Sequence, residues 1–559
     1  MIGRGFRWDF KRGVAGIDWY LAVIIALGAV LLFSNLGDRN IAADETFTGL
    51  IAKNIADTGY PDAHYKGALI NPKVTSYVTI GSRTLDTWSS WLPYYMAAPF
   101  VKFFGESEFS EFFLRFPFAV FGLLSIILSY YFLRDVSGSK IVARVAVLLM
   151  ALSVTFYLHM RQMRWYSMAL FFGIAMLYSY WRFLERRKFA SAWFVLSSVL
   201  LFHSNFFIFL GVAFAVGLHF LVFELRNILG RREGFSGLKR FVLPALLIFL
   251  FTFPWFYITG QMVKTSGVTF SLGALLFNLL LNFYWIFAFL VPAVFLLFLV
   301  WLFFDKKKRG EYLADLGRRY GFVATMIIGL IFFFSLKSDI LPQMRYLMVM
   351  IPLFSLINAV VVYEIYKRWK WVTCLAVALL VFSNLLNIFP MVFMEDFANG
   401  FETGKATEYE KGRFLEGTLT PRSLMADYVY EISHDYTGPE EAIIGYIAEH
   451  NSSDESFITN SLVFRNSVFF YTQLREANVS VEKPDWILPR GVVRENKAFT
   501  ESLNRNINLS EYDEIRLTGV DDTLWSEGPD PVNHRFRSEM DGTILIYYKN
   551  TARGKMGRD

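Results

Sequence analysis

Asp44 and Glu45 stand side by side just after the first apolar run of a 559-residue chain. Adjacent carboxylates can do two kinds of work. They can cap a helix and lie in its electropositive first turn, which stabilises it by about 1 kcal/mol. Alternatively, one can take a proton from a reacting hydroxyl while the other orients it, the acceptor or a cation. The two uses are compatible, because a capping loop can also present a base. Arg115, Arg161, Arg164 and Arg345 lie on the same side of the chain's threading, each near the start of an apolar run. Such an arginine either snorkels to lipid headgroups or holds an anion, since a guanidinium forks onto phosphate through two parallel hydrogen bonds. Several arginines beside one carboxylate pair suggest a phosphate at membrane depth next to an acid/base group. No His/Asp cluster has metal-ligand spacing, while Asp44 or Glu45 could still take a divalent cation.

The elements that must position these groups are membrane helices. The composition is 54% hydrophobic and only 19% charged, against about 25% charged in soluble domains. Apolar runs of the length a bilayer demands, about 20 residues, recur at 18–36, 112–133, 141–158, 165–184, 193–223, 241–258, 275–304, 322–336, 346–366 and 371–389. Reading 190–223 as two closely joined helices predicts about eleven spans. The first run follows a basic front (Arg4, Arg7, Lys11, Arg12) and no small-residue cleavage site follows it, so it reads as a retained helix and not a signal peptide.

Threading the spans with the N-terminus inside puts about 25 basic residues on the cytoplasmic side and about five in the short outer loops, the bias that fixes orientation. An odd number of spans then leaves the C-terminal region outside. From Met391 onward that region carries about 29 acidic and 18 basic residues, opposite in sign to the membrane part. It contains three Asn-x-Ser/Thr sequons, at Asn451, Asn478 and Asn508. The one cysteine, Cys374, lies in the last apolar run, so no disulfide can form within a monomer. The region reads as α/β: a helix opened by Pro439 in its first turn, a short strand at Glu514–Leu517, and a hairpin from 536 to 548 turning at Asp541-Gly542.

About 75 residues separate the first span from the second, and a connection of that length in a compact protein is usually functional. It opens with a helix from Asp44 to Gly59 whose Phe47, Leu50, Ile51 and Ile55 fall at helical spacing, predicted to lie on the membrane surface. A second interfacial stretch, 85–104, is rich in Trp and Tyr.

Taken in order, these pieces resemble the polyprenyl-phosphate-sugar-dependent glycosyltransferases of the GT-C fold, the group that includes protein O-mannosyltransferases and the lipid A aminoarabinose transferase. The resemblance rests on Asp44-Glu45, Gly59-Tyr-Pro, Phe104-Gly-Glu-Ser-Glu-Phe and Leu114-Arg115-Phe-Pro. It continues through Arg161-Gln-Met-Arg164-Trp-Tyr166-Ser, His203 and Arg345-Tyr346 with Pro352, and covers about residues 15–390. It implies an inverting transfer with Asp44 as general base. The attacking group is an acceptor hydroxyl, the sugar comes from a polyprenyl (dolichyl or undecaprenyl) phosphate, and the phosphate leaves stabilised by Arg or Lys.

Ser89-Ser-Trp91-Leu-Pro93 stands where the aminoarabinose transferases carry a Lys-Pro-Pro-Leu type loop, leaving Lys66 and Lys73 as substitutes for its lysine. The Trp-Trp-Asp-Tyr-Gly signature of oligosaccharyltransferases is absent, which argues against whole-oligosaccharide transfer to asparagine.

The expectation is an all-α polytopic membrane domain, 1–390, with an external α/β domain, 391–559. Catalytic residues are Asp44 and Glu45, and donor-phosphate ligands come from Arg164, Arg345, Arg115, Arg161 and Lys66. Partners are the lipid-linked sugar, a glycan, lipid or protein acceptor, and membrane lipids, with no nucleic acid. A transporter or lipid flippase is the alternative. It would place ionisable residues near mid-membrane, whereas these spans are nearly free of acidic residues and the polar groups gather at the outer interface.

Overall fold

A computed structural model describes residues 18–550 except 43, 73–76, 106–109, 226–233, 261–270, 287–305, 337–343, 384–422, 452–454, 479–481, 490–506, 522–533, 535 and 537–541. The basic front at 4–12, Lys73 and the expected domain boundary at 390/391 therefore lie outside the described residues.

The chain is mostly helical. Helix α1 (Trp19–Phe33) is capped by Asp18, whose side chain accepts from the Leu21 N–H. Asp18 also accepts from Tyr130 and Arg144, tying the start of α1 to α4 (Ser110–Ser137) and α5 (Lys140–Ala151). Between α1 and α4 come α2 (Asp44–Thr58), the two-stranded ladders β1–β2 (His64–Tyr65, Ala68–Leu69) and β3–β4 (Val78–Ile80, Arg83–Leu85), and α3 (Leu92–Phe104). The run expected as one span at 141–158 is broken. Ser153 is extended, and α6 (Val154–Met160) leaves α5 at 64° with all seven residues buried. The bend delivers the chain to Arg161–Arg164, from which α7 (Trp165–Leu184) starts. The 190–223 run does divide in two, as α8 (Ala190–Ser204) and α9 (Phe206–His219), with a π-helical continuation to Leu225. Asn205 marks the break, because its side chain accepts the Ile208 N–H and restarts the helix.

Beyond these lie α10 (Gly234–Ile258), α11 (Leu272–Trp285), α12 (Lys306–Ser335, kinked at Tyr320), α13 (Met344–Leu347), α14 (Ile351–Arg368) and α15 (Lys370–Phe382). Among the described residues five helices are long and apolar enough to cross a membrane, or six when the bent α5–α6 pair counts as one span. Five further apolar helices run 10–17 residues. Burial sorts them. The window in Met344–Lys367 is 83% buried and that in α7 67%, whereas only 11% of that in α10 is buried. The first two form the centre of the bundle, and α10 presents its apolar side chains outward, as a lipid-facing helix does.

The C-terminal part is α/β. Helices α16 (Leu424–Ile432), α17 (Pro439–His450) and α18 (Leu462–Tyr471) accompany β5 (Ser456–Thr459), β6 (Arg475–Glu476), β7 (Trp486–Leu488), β8 (Tyr512–Val520) and β9 (Gly542–Lys549). The sheet order is β6-β5-β7-β9-β8, parallel between β5 and its two neighbours and antiparallel at β9. The helix at Pro439 and the strand at 514–517 stand where the sequence puts them. The expected hairpin partner of 543–548 does not: β9 pairs with β8, and 537–541 lie outside the described residues.

This domain sits directly on the chain between α1 and α3. Tyr428 donates to the Leu31 carbonyl at 2.6 Å, Lys66 to Thr472, and Arg465 to Leu69 and Ile70. The two parts therefore share one side of the helical bundle. Helix α2 differs from expectation in its surroundings. It is not a helix with one free face on a bilayer: Glu45, Thr46, Thr48, Gly49, Leu50, Ile51, Ala52 and Ile55 are buried, between α3 on one side and α18 on the other.

Candidate active site

Asp44 is the first residue of α2, and two other helix starts converge on it. The Arg164 backbone is extended, with φ −141° and ψ 170°, as it begins α7, and its side chain reaches inward with only 5% exposed. Arg345 lies in the short α13 that leads into the buried α14 and is 24% exposed. Both donate to one oxygen of Asp44: Arg164 Nη2 at 3.1 Å and Arg345 Nη1 at 2.8 Å from Oδ2. Arg164 Nη1 also donates to Thr48 Oγ1 at 3.3 Å, and Arg345 Nη1 to the Tyr166 hydroxyl at 3.4 Å. The Asp44 side chain is 37% exposed, and Oδ1 has no hydrogen-bond partner among the described residues.

Burial acts to raise the Asp44 pKa, but the charges and hydrogen bonds of Arg164 and Arg345 outweigh it and hold the carboxyl below its ordinary value of 3.8. Two guanidiniums against one carboxylate leave one positive charge over. The Nε of Arg164 and of Arg345 are both buried without a hydrogen-bond partner among the described residues. A buried guanidinium N–H left unmatched is costly, and two such groups with surplus positive charge are chemically suited to an anion.

Glu45, one residue on, faces the other way and has a different task. Oε1 accepts from Arg115 Nε at 3.0 Å and from the Met163 N–H at 2.6 Å, and Oε2 accepts from Arg115 Nη2 at 2.7 Å. The remaining Arg115 donors go to the carbonyls of Leu36, Arg39 and Asn40. All five N–H groups of Arg115 are thus engaged inside the protein. Arg161 donates to the carbonyls of Leu31, Leu32, Ser34 and Asn35, closing the C-terminus of α1. Lys66 donates to Thr472 at 2.7 Å and makes no contact with Asp44. Of the five cations expected at the phosphate, Arg164 and Arg345 come together at the site. Arg115, Arg161 and Lys66 serve elsewhere.

Thr48 and Tyr166 join the site without having been singled out as binding residues. Tyr94 and Asp86 lie behind it: the Tyr94 hydroxyl donates to Asp86 Oδ2 at 3.2 Å, and Arg164 acts on Tyr94 electrostatically. The one sequence signal for Asp86 is a carboxylate in the Trp- and Tyr-rich interfacial stretch at 85–104. As for a cation, both Glu45 oxygens and Asp44 Oδ2 already face guanidiniums. Among the described residues no group of three or more His, Cys, Asp or Glu could hold a metal ion.

Residues 78–263 match the model of the family described as dolichyl-phosphate-mannose-protein mannosyltransferase. The resemblance read from the sequence holds. The match spans α3 to α10, including Arg115, Arg161 and Arg164, and stops short of Asp44 and Arg345. No curated protein matches the chain.

Among solved structures, one similar to this chain is ArnT from Cupriavidus metallidurans bound to undecaprenyl phosphate. It is 14% identical, covering 82% of this chain and 75% of that one, with a TM-score of 0.46. Another is the arabinosyltransferase EmbB from Mycobacterium smegmatis, 11% identical over 83% of this chain and 40% of that one, TM-score 0.43. A third is the archaeal oligosaccharyltransferase AglB from Archaeoglobus fulgidus in complex with an inhibitory peptide and a dolichol-phosphate. It is 13% identical, covering 91% and 70%, with a TM-score of 0.39.

Proposed function

We propose that this chain is a membrane glycosyltransferase that moves a sugar from a polyprenyl phosphate to an acceptor hydroxyl, with inversion at the anomeric carbon and Asp44 as general base. The observation that carries the reading is the Asp44 carboxylate, one oxygen held by two guanidiniums and the other open, beside two buried Nε groups that have no partner.

The chemistry follows from that arrangement. Asp44 Oδ1 takes the acceptor's hydroxyl proton, and the acceptor oxygen bonds to the anomeric carbon from the face opposite the phosphate. The bond from that carbon to the phosphate oxygen breaks, and its electron pair leaves with the polyprenyl phosphate. The phosphate needs no proton to depart, only charge stabilisation, which Arg164 and Arg345 supply. Its negative charge grows as the bond breaks, so contacts to these arginines strengthen in the transition state. Glu45 orients Asp44 by fixing the first turn of α2 to Arg115 and Met163, without meeting substrate.

Eleven spans are the reading supported by the five long helices, the bent pair and the five shorter apolar helices taken together. The distribution of basic residues supports a cytoplasmic N-terminus and an external site and C-terminal domain. Replacing Asp44 by Asn tests the reading. Turnover should fall by about 10²–10⁴-fold, the usual effect of losing a general base, while donor affinity stays near that of the parent. Near-normal turnover in that variant would remove Asp44 from the chemistry.

A further inference from the structure

The helix that carries Asp44 is gripped on both sides of that residue by the C-terminal domain. Before it, the Ile41 N–H donates to the Tyr471 hydroxyl, and the Asn40 N–H donates to Glu441 Oε1 at 3.1 Å. After it, the Phe470 ring lies on the backbone of α2 at Gly49, so close that a Cβ on Gly49 would meet Phe470 Cε2 at 2.6 Å. Only glycine permits that approach. Lys53, one turn further on, donates to the Phe470 carbonyl and stands 4.1 Å over its ring. Phe470 is 5% exposed, and both it and Tyr471 come from the end of α18. The Met163 side chain closes the same spot, 3.2 Å from the position of a Gly49 Cβ, while its N–H holds Glu45.

We infer that the C-terminal domain is a positioning device for the base, in which Phe470 and Tyr471 of α18 set the place of α2 and so hold the Asp44 carboxylate against Arg164 and Arg345. The inference rests on Asp44 being the base. Gly49 is five residues from Asp44, about 7.5 Å along a helix that moves as a rigid rod. A shift where Phe470 bears on the helix is therefore passed to the carboxylate nearly undiminished. Displacing a reacting group by 1 Å costs about 100-fold in rate. Phe470 and Tyr471 are positioning residues, with no contact to substrate.

The test compares Phe470→Ala, Phe470→Leu, Gly49→Ala and Asp44→Asn in the full-length detergent-solubilised protein, per folded molecule. It reads kcat, donor affinity, acceptor KM and hydrogen exchange of the α2 amides. Phe470→Ala should lower kcat about 10- to 100-fold with donor affinity within about twofold, and should speed exchange across 44–58. Phe470→Leu, which refills most of the contact, should restore most of kcat. Gly49→Ala should lower kcat by pushing the ring away. If Phe470→Ala does not fold, Phe470→Leu and Gly49→Ala decide. The inference is overturned if the variants that fold keep parental kcat, or change acceptor KM alone, which would make the domain an acceptor-binding part. Activity retained in Asp44→Asn would sink the base itself. An inactive Asp44→Asn beside a fully active Phe470→Ala would sink the positioning role alone.

Discussion

Replacing Glu45 by Ala should unfold this protein before it reveals anything about catalysis. Glu45 accepts three hydrogen bonds at 3.0, 2.7 and 2.6 Å, two from Arg115 and one from the Met163 N–H. Its partner is equally enclosed, with side-chain exposures of 8% for Arg115 and 4% for Glu45. Removing the carboxylate leaves a buried guanidinium with carbonyl partners but no carboxylate bonded to it, a loss of about 3–5 kcal/mol. The stranded Met163 N–H costs about 1–3 kcal/mol more, although neighbouring terms do not simply add.

A total of roughly 4–8 kcal/mol is a large share of the roughly 5–15 kcal/mol by which proteins are stable. Thermal unfolding in detergent of Glu45→Ala, Arg115→Met and the double variant, with turnover per folded molecule, checks this. Each single variant should melt well below the parent. The double variant should melt above the sum of the single losses, because it leaves no buried charge alone. Parental melting of Glu45→Ala would refute the reasoning. So would a stable Glu45→Ala whose turnover falls as far as that of Asp44→Asn, since Glu45 would then be acting on the reaction.

Arg164→Ala and Arg345→Ala should each weaken donor binding about 10- to 100-fold, the worth of a hydrogen bond to a charged group, and lower kcat as well, with Lys restoring only part. Arg345→Gln should also move the acid limb of kcat/KM upward. That limb follows the free enzyme's base, whose pKa the two arginines now hold below 3.8. Unchanged donor binding, turnover and pH profile would leave both arginines as structural partners of Asp44. Protease added to intact cells or right-side-out vesicles should cut beyond Glu395, and cleavage confined to inverted vesicles would reverse the topology.

What the sequence made legible was tied to residues with a single strong tendency. Asp44 was visible because a carboxylate at the exit of a membrane span needs a reason, and Arg164 and Arg345 because positive charge on that side runs against the orientation bias. The same logic put Arg115 and Arg161 forward as possible additions to that pair. Their partners are mostly the carbonyls of Leu31, Ser34, Asn35, Leu36, Arg39 and Asn40, and a carbonyl leaves no mark on a sequence. The apolar side of α2 was legible from its spacing, but its cover was not. Phe470 is more than 400 residues away, and Gly49 looks like any helical glycine until a ring is found against it.

The division of labour between the two carboxylates has a geometric cause. Successive residues on a helix point about 100° apart, so adjacent acids at the start of α2 cannot face the same surroundings. Glu45 turns into the protein, where a saturated guanidinium and a backbone N–H hold it. Asp44 stays 37% exposed with one oxygen unoccupied. Holding the helix needs a fully satisfied group, and proton transfer needs one with room for a partner. Arg115 and Arg161, spent on carbonyls, fix the end of α1 and the loop after it. That rigid seat leaves Arg164 and Arg345 at Asp44, each with an unmatched buried Nε.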